Sequence, residues 1–447
     1  MKVIFCLRNY LPLYVGGTEI YVNALSKALQ KMGIETIILK PGFDKIKIEE
    51  YGYEGQRVIE YPELSHYDKD QVTGNKPPSG LPFFRQILIE EQPDVIHFHE
   101  ISGSNGITIF HFEVAKELKI PIFTTLHLAG YVCKMGTLLY KNKYQCDGKI
   151  DTYKCAVCCL HNRGFRFGLS EVIASAGMLF QEKKWRKNSF LPGPVAGLLS
   201  YPAYINDHYE LLKNIFAYSE KVFVLSEWFR KTLLLNSLPE NKMVTLPKAL
   251  PHTVTPQKDS LQPIPDNNVV RLVYVGRISK IKGLHILLES LKSIKKNNWT
   301  LDIYGQIGEE DYARRCTTLA LDKKSQIFFK GRLSPAQIID TLRQYDVLVC
   351  PTIIREMVGF VIMEAFAAGI PVIGSDSGGI AEQVTNEVNG ILFKTGSAES
   401  LSNVLQAIFE RPAILNELKK NIKVPNNFNE VAIQVNKEYE MTLKESN

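Results

Sequence analysis

The stretch from Val347 to Gly379, VLVCPTIIREMVGFVIMEAFAAGIPVIGSDSGG, constrains the fold more than any other part of the chain. An apolar run from Val347 to Cys350 stops at Pro351, and a polar loop follows. Apolar residues then recur at helical spacing from Phe360 to Ala368, until Gly369-Ile370-Pro371 ends the helix and a second strand begins. Strand, helix and strand in that order need a parallel sheet with helices packed on it.

Glu356 lies on the loop of this unit and Glu364 inside its helix, with Gly359 at the turn between them. The first amides of a helix lack carbonyl partners and carry its positive dipole end, so the N–H groups around Val358 to Val361 can hold a diphosphate. Two carboxylates beside an anion site suit hydroxyl groups, and the combination fits a phosphate ligand that carries polyols. The competing reading makes Glu356 a solvated loop residue and Glu364 a helix surface residue.

At 447 residues the chain is long for one core, which favours two domains. A hydrophobic content of 45% and a charged content of 22% are those of a soluble globular protein. The formal charge of +6 comes without a basic stripe or a recognisable binding module, so nucleic acid is not an expected partner. The opening MKVIFCLRNY is too short an apolar run for a signal peptide and is interrupted at Arg8, and no long uninterrupted apolar stretch follows. The expected location is cytoplasmic, in the cytosol or at the cytoplasmic face of the membrane.

In chain order, Lys2 to Leu7 reads as a buried strand, and Gly16-Gly17-Thr18 opens a helix with Ile20, Ala24, Leu25, Ala28 and Leu29 on one face. Gly17 stands where a phosphate or sugar can approach the backbone, although a glycine pair more often only makes a turn. Further units follow, with helices near Phe83 to Glu91 and Ile107 to Leu118 and strands at Asp94 to His99 and Pro121 to Leu126. His97 and His99 share one strand face and are expected to pack under a helix. His127, just beyond a strand, is expected to face a cleft at the carboxyl end of the sheet.

From Cys133 to Cys159 the pattern breaks, with cysteines at 133, 146, 155, 158 and 159. Cys155 and Cys158 have the spacing of a tetrahedral thiolate site, and a structural zinc at Cys133, Cys146, Cys155 and Cys158 is one reading. Reduced cysteines in a loop insertion are the other. Residues 163–188 carry six basic side chains against two acidic, interleaved with Phe165, Phe167, Phe180 and Trp185. Such a run is either solvated or a face for an anionic bilayer or lipid-linked substrate. The proline-rich stretch from Pro247 to Asn268 marks the boundary between domains.

After that boundary, Arg277 sits directly beyond the strand ending in Tyr274-Val275-Gly276, and Lys282-Gly283 enters the next helix. A strand end, a guanidinium and a lysine at a helix N-terminus make a diphosphate clamp that needs no metal. No Walker-type loop is present, which disfavours ATP hydrolysis.

These stretches resemble family 4 glycosyltransferases of the GT-B fold: Gly16-Gly17-Thr18-Glu19, PDVIHFH, TTLH, VGRISKIKG, LDIYG, FKGRL, Glu356 with Glu364, SGGIAE and NGILF. The resemblance implies an α/β protein of two facing Rossmann-like domains with parallel sheets and an interdomain cleft. An N-terminal acceptor-side domain would span 1–250, with the cysteine and basic/aromatic insertion at about 133–205. A nucleotide-sugar domain would span 251–427, and a C-terminal helix at 428–447 would pack back on the first domain. The implied activity is a retaining, hexosyl-type transfer from a nucleoside-diphosphate sugar to a saccharide or lipid-linked acceptor, without catalytic metal, in surface polysaccharide assembly. Arg277 and Lys282 would bind the diphosphate together with Gly276. Glu356 and the amides of Met357, Val358, Gly359 and Phe360 would meet the donor sugar and phosphate, and Glu364 the ribose. Gly331, Arg332 and Leu333 would lie against the base, Gly17 near the phosphate or acceptor, and His127 beside the reacting sugar. Pro247-Lys248-Ala249 and Met357-Val358-Gly359 depart from the usual pattern, which leaves the donor sugar open. A catalytically silent saccharide-binding subunit and a nucleotide-sugar epimerase are the alternatives.

Overall fold

The computed structural model describes residues 1–66, 76–101, 106–179, 193–251 and 269–446. The chain forms two compact units, one of Met1–Pro247 together with the segment from Phe428, the other of Lys248–Asn427. The division falls between Pro247 and Lys248 rather than after residue 250, because Ala249–Leu250 pairs in parallel with Asn426–Asn427 inside the second unit.

In the first unit the strands are β1 (Lys2–Cys6), β2 (Glu35–Phe43), β3 (Glu49–Tyr53), β4 (Gln56–Glu63), β5 (Val95–Phe98), β6 (Ile122–Leu126), β7 (Leu139–Tyr140), β8 (Tyr144–Gln145), β9 (Lys221–Val224) and β10 (Met243–Thr245). Eight of them form one sheet in the order β10-β9-β6-β5-β1-β2-β4-β3, parallel except where β3 pairs antiparallel to β4. β1, β5 and β6 are almost wholly buried, as their uninterrupted apolar runs require of parallel strands covered on both faces. The strand order reverses between β1 and β5, so the loops that follow these two strands part from each other there.

The helices are α1 (Gly17–Gln30), α2 (Leu81–Glu91), α3 (Ile109–Glu117), α4 (Thr152–Asn162), α5 (Leu169–Met178), α6 (Gly193–Leu199), α7 (Tyr201–Tyr218) and α8 (Glu227–Leu235). The C-terminal helix Phe428–Ser446 belongs to this unit and packs along α1. Its Phe428 meets the ring of Tyr21 edge-on, and its Tyr439 hydroxyl lies 2.5 Å from His97 Nδ1.

In the segment from Cys133 to Cys159, where the pattern breaks, a two-residue-stranded hairpin (β7–β8) leads into a regular helix from Thr152. Asp151 caps α4 by accepting the Lys154 N–H, and α4 buries Ala156, Val157, Cys159 and Leu160 against Ala174, Tyr201 and Ile205. The helix was hard to read because cysteines occupy positions of its apolar face. Lys183, Lys184, Arg186 and Lys187, with Phe180 and Trp185, lie outside the described residues. Among the described residues no helix is long and apolar enough to cross a membrane.

The second unit contains β11 (Ala249–Leu250), β12 (Val270–Val275), α9 (Leu284–Lys292), β13 (Trp299–Tyr304), α10 (Glu310–Ala320), β14 (Ile327–Gly331), α11 (Ile338–Leu342), β15 (Val347–Cys350), α12 (Phe360–Ala367), β16 (Val372–Ser375), α13 (Gly378–Gln383), β17 (Gly390–Phe393), α14 (Ala398–Glu410), α15 (Ile414–Lys420) and β18 (Asn426–Asn427). Six strands make a parallel sheet in the order β14-β13-β12-β15-β16-β17. Period-two alternation sends Leu272, Tyr274, Val347 and Val349 into one core and Val273, Leu348 and Cys350 into another. Helices therefore cover both faces, and the carboxyl edge of the sheet carries the loops.

Candidate functional site

In the second unit the strand order reverses between β12 and β15, the place where an open parallel sheet leaves a crevice at its carboxyl edge. The loop after β12 carries Arg277 and Lys282, and the loop after β15 carries Glu356. Lys282 Nζ lies 2.5 Å from Glu356 Oε1, with 32% and 18% of the two side chains exposed. Burial opposes the lysine charge, but Glu356 outweighs it and holds the ammonium above the ordinary lysine range, while the charge of Arg277 acts in the opposite sense. The two cations are therefore close enough to feel each other. Tyr274 fixes the backbone of Arg277 by donating its hydroxyl to the Arg277 carbonyl at 3.0 Å.

Gly283 makes this approach of loops feasible. Its φ is +72°, and a Cβ there would stand 1.9 Å from the Pro351 carbonyl oxygen. Only glycine lets the start of α9 lie against the exit of β15, which brings Lys282 to the Glu356 loop.

Gly359 ends that loop at φ +46° and caps α12, whose first amides follow at Phe360 and Val361. Met357 and Val358 are buried, and the Glu356 carbonyl accepts the Gly379 N–H at 2.7 Å. The Gln383 amide donates to the Val358 and Gly379 carbonyls, tying α13 to the same loop. Sequence reasoning missed Gln383; the only signal was its place after the SGGIAE motif.

One turn into α12, Glu364 is 6% exposed. Burial pushes its pKa up to about 7, and no hydrogen-bond or ion-pair partner lies against its carboxylate among the described residues. It is therefore not the surface residue of the competing reading. A buried carboxylate without a partner is costly for folding, which makes Glu364 a candidate site residue. Gly331 ends β14 and is exposed, as is Arg332, with Leu333 half-buried, so these three also stand at the carboxyl edge.

In the first unit Gly17 begins α1 and is exposed, but the Glu19 carboxylate folds back onto the Gly16 and Glu19 amides and occupies that helix start itself. His97 packs beneath the C-terminal helix, with Nε2 2.8 Å from Thr125 Oγ1 and its ring stacked on His99. His127 is 8% exposed, lies 3.0 Å through Nε2 from His99 Nδ1, and meets Tyr21 edge-on. Burial lowers its pKa to about 3, which keeps the imidazole neutral. His127 thus joins a histidine pair rather than standing open beyond its strand. Glu100, directly after the β5 histidines, is a further carboxylate whose pKa burial raises.

All eight cysteines are free thiols. Cys133, Cys146, Cys155, Cys158 and Cys159 line one small cavity. As they stand, no group of three or more His, Cys, Asp or Glu among the described residues is posed as a metal-ligand set. The thiols are gathered but not drawn to ligand distance.

Two family models match the chain, "Glycosyltransferase Family 4" over residues 15–146 and "Glycosyl transferases group 1" over residues 258–424. Each match spans less than half of the chain, and the two halves together are similar to glycosyltransferases of these two models. The Bacillus subtilis protein YtcC is 26% identical over 196 residues, which are 41% of this chain and 48% of that protein. The amylovoran biosynthesis glycosyltransferase AmsK of Erwinia amylovora is 24% identical over 237 residues, 51% of this chain and 57% of AmsK. The chain thus spans about half the length of the curated relatives it matches. Among solved structures, HepE of Anabaena in complex with UDP and glucose aligns with a TM-score of 0.62 at 15% identity, covering 98% of this chain and 99% of that one. This likeness shows that the two parallel-sheet units have the GT-B fold.

Proposed function

We propose that this chain moves a sugar from a nucleoside-diphosphate sugar to a saccharide or lipid-linked saccharide acceptor, with retention at the anomeric carbon, in surface polysaccharide or glycoconjugate assembly. The observation that carries the reading is that the Lys282–Glu356 ion pair, the nearby charge of Arg277 and the unpartnered Glu364 come from the loops and helix at one strand-order reversal. The cations hold the diphosphate and stabilise it as it leaves. Glu356 and the amides at the α12 start meet the sugar and phosphate, Glu364 accepts from the ribose hydroxyls, and Gly331 to Leu333 flank the base. HepE binds UDP and glucose, which supports a nucleoside-diphosphate hexose as donor. The name of AmsK supports an acceptor within polysaccharide assembly.

Electrostatic stabilisation of the departing diphosphate is the main catalytic term; a single preorganised donor of this kind contributes about 3–4 kcal/mol. The departing phosphate takes the acceptor proton on the face where the new bond forms. Because Arg277 and Lys282 supply the positive charge, transfer proceeds without a divalent cation, and chelator in the assay leaves the rate unchanged. An acceptor that is lipid-linked brings the enzyme to the cytoplasmic face of a membrane, where the exposed Phe167, Leu169, Val172 and Leu179 beside Arg166 suit a headgroup region. Screening nucleotide sugars for thermal stabilisation and slow donor hydrolysis tests the proposal. Stabilisation by one donor supports it and names the base and sugar; silence across the panel favours a saccharide-binding subunit.

A further inference from the structure

We infer that Gly308 is a positioning residue for Arg277, and that the loop carrying Gly308 aims this cation at the donor diphosphate. The inference rests on the reading above, in which Arg277 holds that diphosphate.

Arg277 is exposed, and among the described residues no hydrogen bond or ion pair holds its guanidinium. Only its backbone is tied, since its carbonyl accepts the Tyr274 hydroxyl and the Ser279 N–H, each at 3.0 Å. A free arginine side chain has about 2 kcal/mol of rotamer freedom to lose when it captures an anion. A clamp made from such a side chain is weak unless its stem is restrained beforehand.

The restraint is the loop of residues 305–309, between β13 and α10. It continues the pairing of β12 with β13 past the strand ends. The Gly276 N–H donates to the Tyr304 carbonyl at 3.0 Å, the Ile278 N–H to the Gln306 carbonyl at 2.9 Å, and the Gly308 N–H returns to the Ile278 carbonyl at 3.1 Å. Ile278 and Ile307 thereby form a parallel bridge. This register lays the Gly308 backbone along the Arg277 stem: a Cβ on Gly308 would stand 2.7 Å from Arg277 Cδ and 2.8 Å from its Cγ. The neighbouring Glu309 accepts the Lys280 N–H at 3.2 Å, which ties down the turn Lys280–Lys282 that carries the second cation. One loop therefore braces both positive charges.

Gly308 differs from Gly283 and Gly305 in what a side chain would strike. At Gly283 and Gly305 the obstacle is a backbone carbonyl oxygen 1.9 Å away, which cannot yield. At Gly308 the close atoms belong to the Arg277 side chain alone. Gly308 is also exposed and lies outside the left-handed region, so an alanine there fits the fold and displaces Arg277.

Calorimetric titration of UDP, ADP and GDP in turn into wild type, Gly308→Ala, Arg277→Ala and the double variant tests the inference. Gly308→Ala is expected to unfold at the wild-type temperature and to bind the matching diphosphate about tenfold more weakly, with affinity for the free nucleoside unchanged. In the Arg277→Ala background, where Cγ and Cδ are gone, the added alanine costs nothing more, a coupling that a merely structural glycine does not show. If Arg277→Ala binds weakly but Gly308→Ala binds as tightly as wild type, the positioning role is overturned and the donor-site reading stands. If Arg277→Ala binds like wild type, or wild type binds none of the three diphosphates, that reading falls and the inference with it. A Gly308→Ala protein that does not fold, or additive losses in the double variant, also overturns the inference, because the group that must yield is then not the Arg277 stem.

Discussion

Lys282 Nζ and Glu356 Oε1 stand 2.5 Å apart although the two residues lie on loops that leave different strands. Partial exposure makes such a pair worth at most about 1 kcal/mol to folding, so stability does not explain its presence. Replacing Lys282 with Ala is expected to lower the transfer rate by about a hundredfold or more while shifting thermal unfolding only slightly. Glu356→Ala behaves likewise. Steady-state kinetics beside calorimetry on the same preparations checks both halves.

Glu364 gives the protein a pH signature. Its pKa rises from 4.5 in the unfolded chain to about 7 on burial, so the folded state holds this proton more tightly. Stability from this group is therefore fully present below about pH 4.5 and is lost as pH rises through 7. Glu364→Gln removes the loss: the variant gains on the order of 3 kcal/mol over wild type at pH 8.5 and nothing near pH 4. Chemical denaturation at the two pH values measures the difference. Donor binding tightens over the same range in wild type, since ribose hydroxyls prefer the ionised carboxylate, and stays flat in the variant.

Gly283→Ala meets both a left-handed backbone and the Pro351 carbonyl. The variant is expected to lose about 2 kcal/mol or more of stability. Any folded fraction loses activity beyond its share, because Lys282 is displaced from Glu356. Specific activity per folded molecule separates these effects.

The C-terminal helix is held on the first unit by a buried bond between Tyr439 and His97. Tyr439→Phe orphans the imidazole nitrogen at a cost of about 1–3 kcal/mol. The double variant with His97→Phe recovers part of that loss, and a double-mutant cycle from urea unfolding reports the coupling.

Much of this architecture was legible because periodicity is a local signal. The apolar runs at Lys2 to Leu7, Asp94 to His99 and Val347 to Cys350 could only be parallel strands, and Gly283 and Gly359 fall where helices begin against other loops. The helices around Cys155 were not legible, since cysteine serves equally as an apolar core residue and as a ligand. The β3–β4 hairpin, turning at Glu54 and Gly55, left no apolar alternation strong enough to read, as β3 is an edge strand with little burial. Burial itself was the hardest quantity. Spacing located Glu364 on α12 and His127 beyond β6, but only the fold shows the carboxylate without a partner and the imidazole engaged by His99.

The central claim is that Arg277, Lys282, Glu356 and Glu364 form one donor site. Calorimetric titration of the matching nucleoside-diphosphate sugar into wild type, Lys282→Ala and Glu364→Gln measures it directly. The account predicts saturable one-to-one binding to wild type and at least about tenfold weaker binding to each variant, with the Lys282 loss persisting when the diphosphate alone is titrated. Equal affinity in all three proteins, or no binding of any nucleotide sugar to wild type, contradicts it.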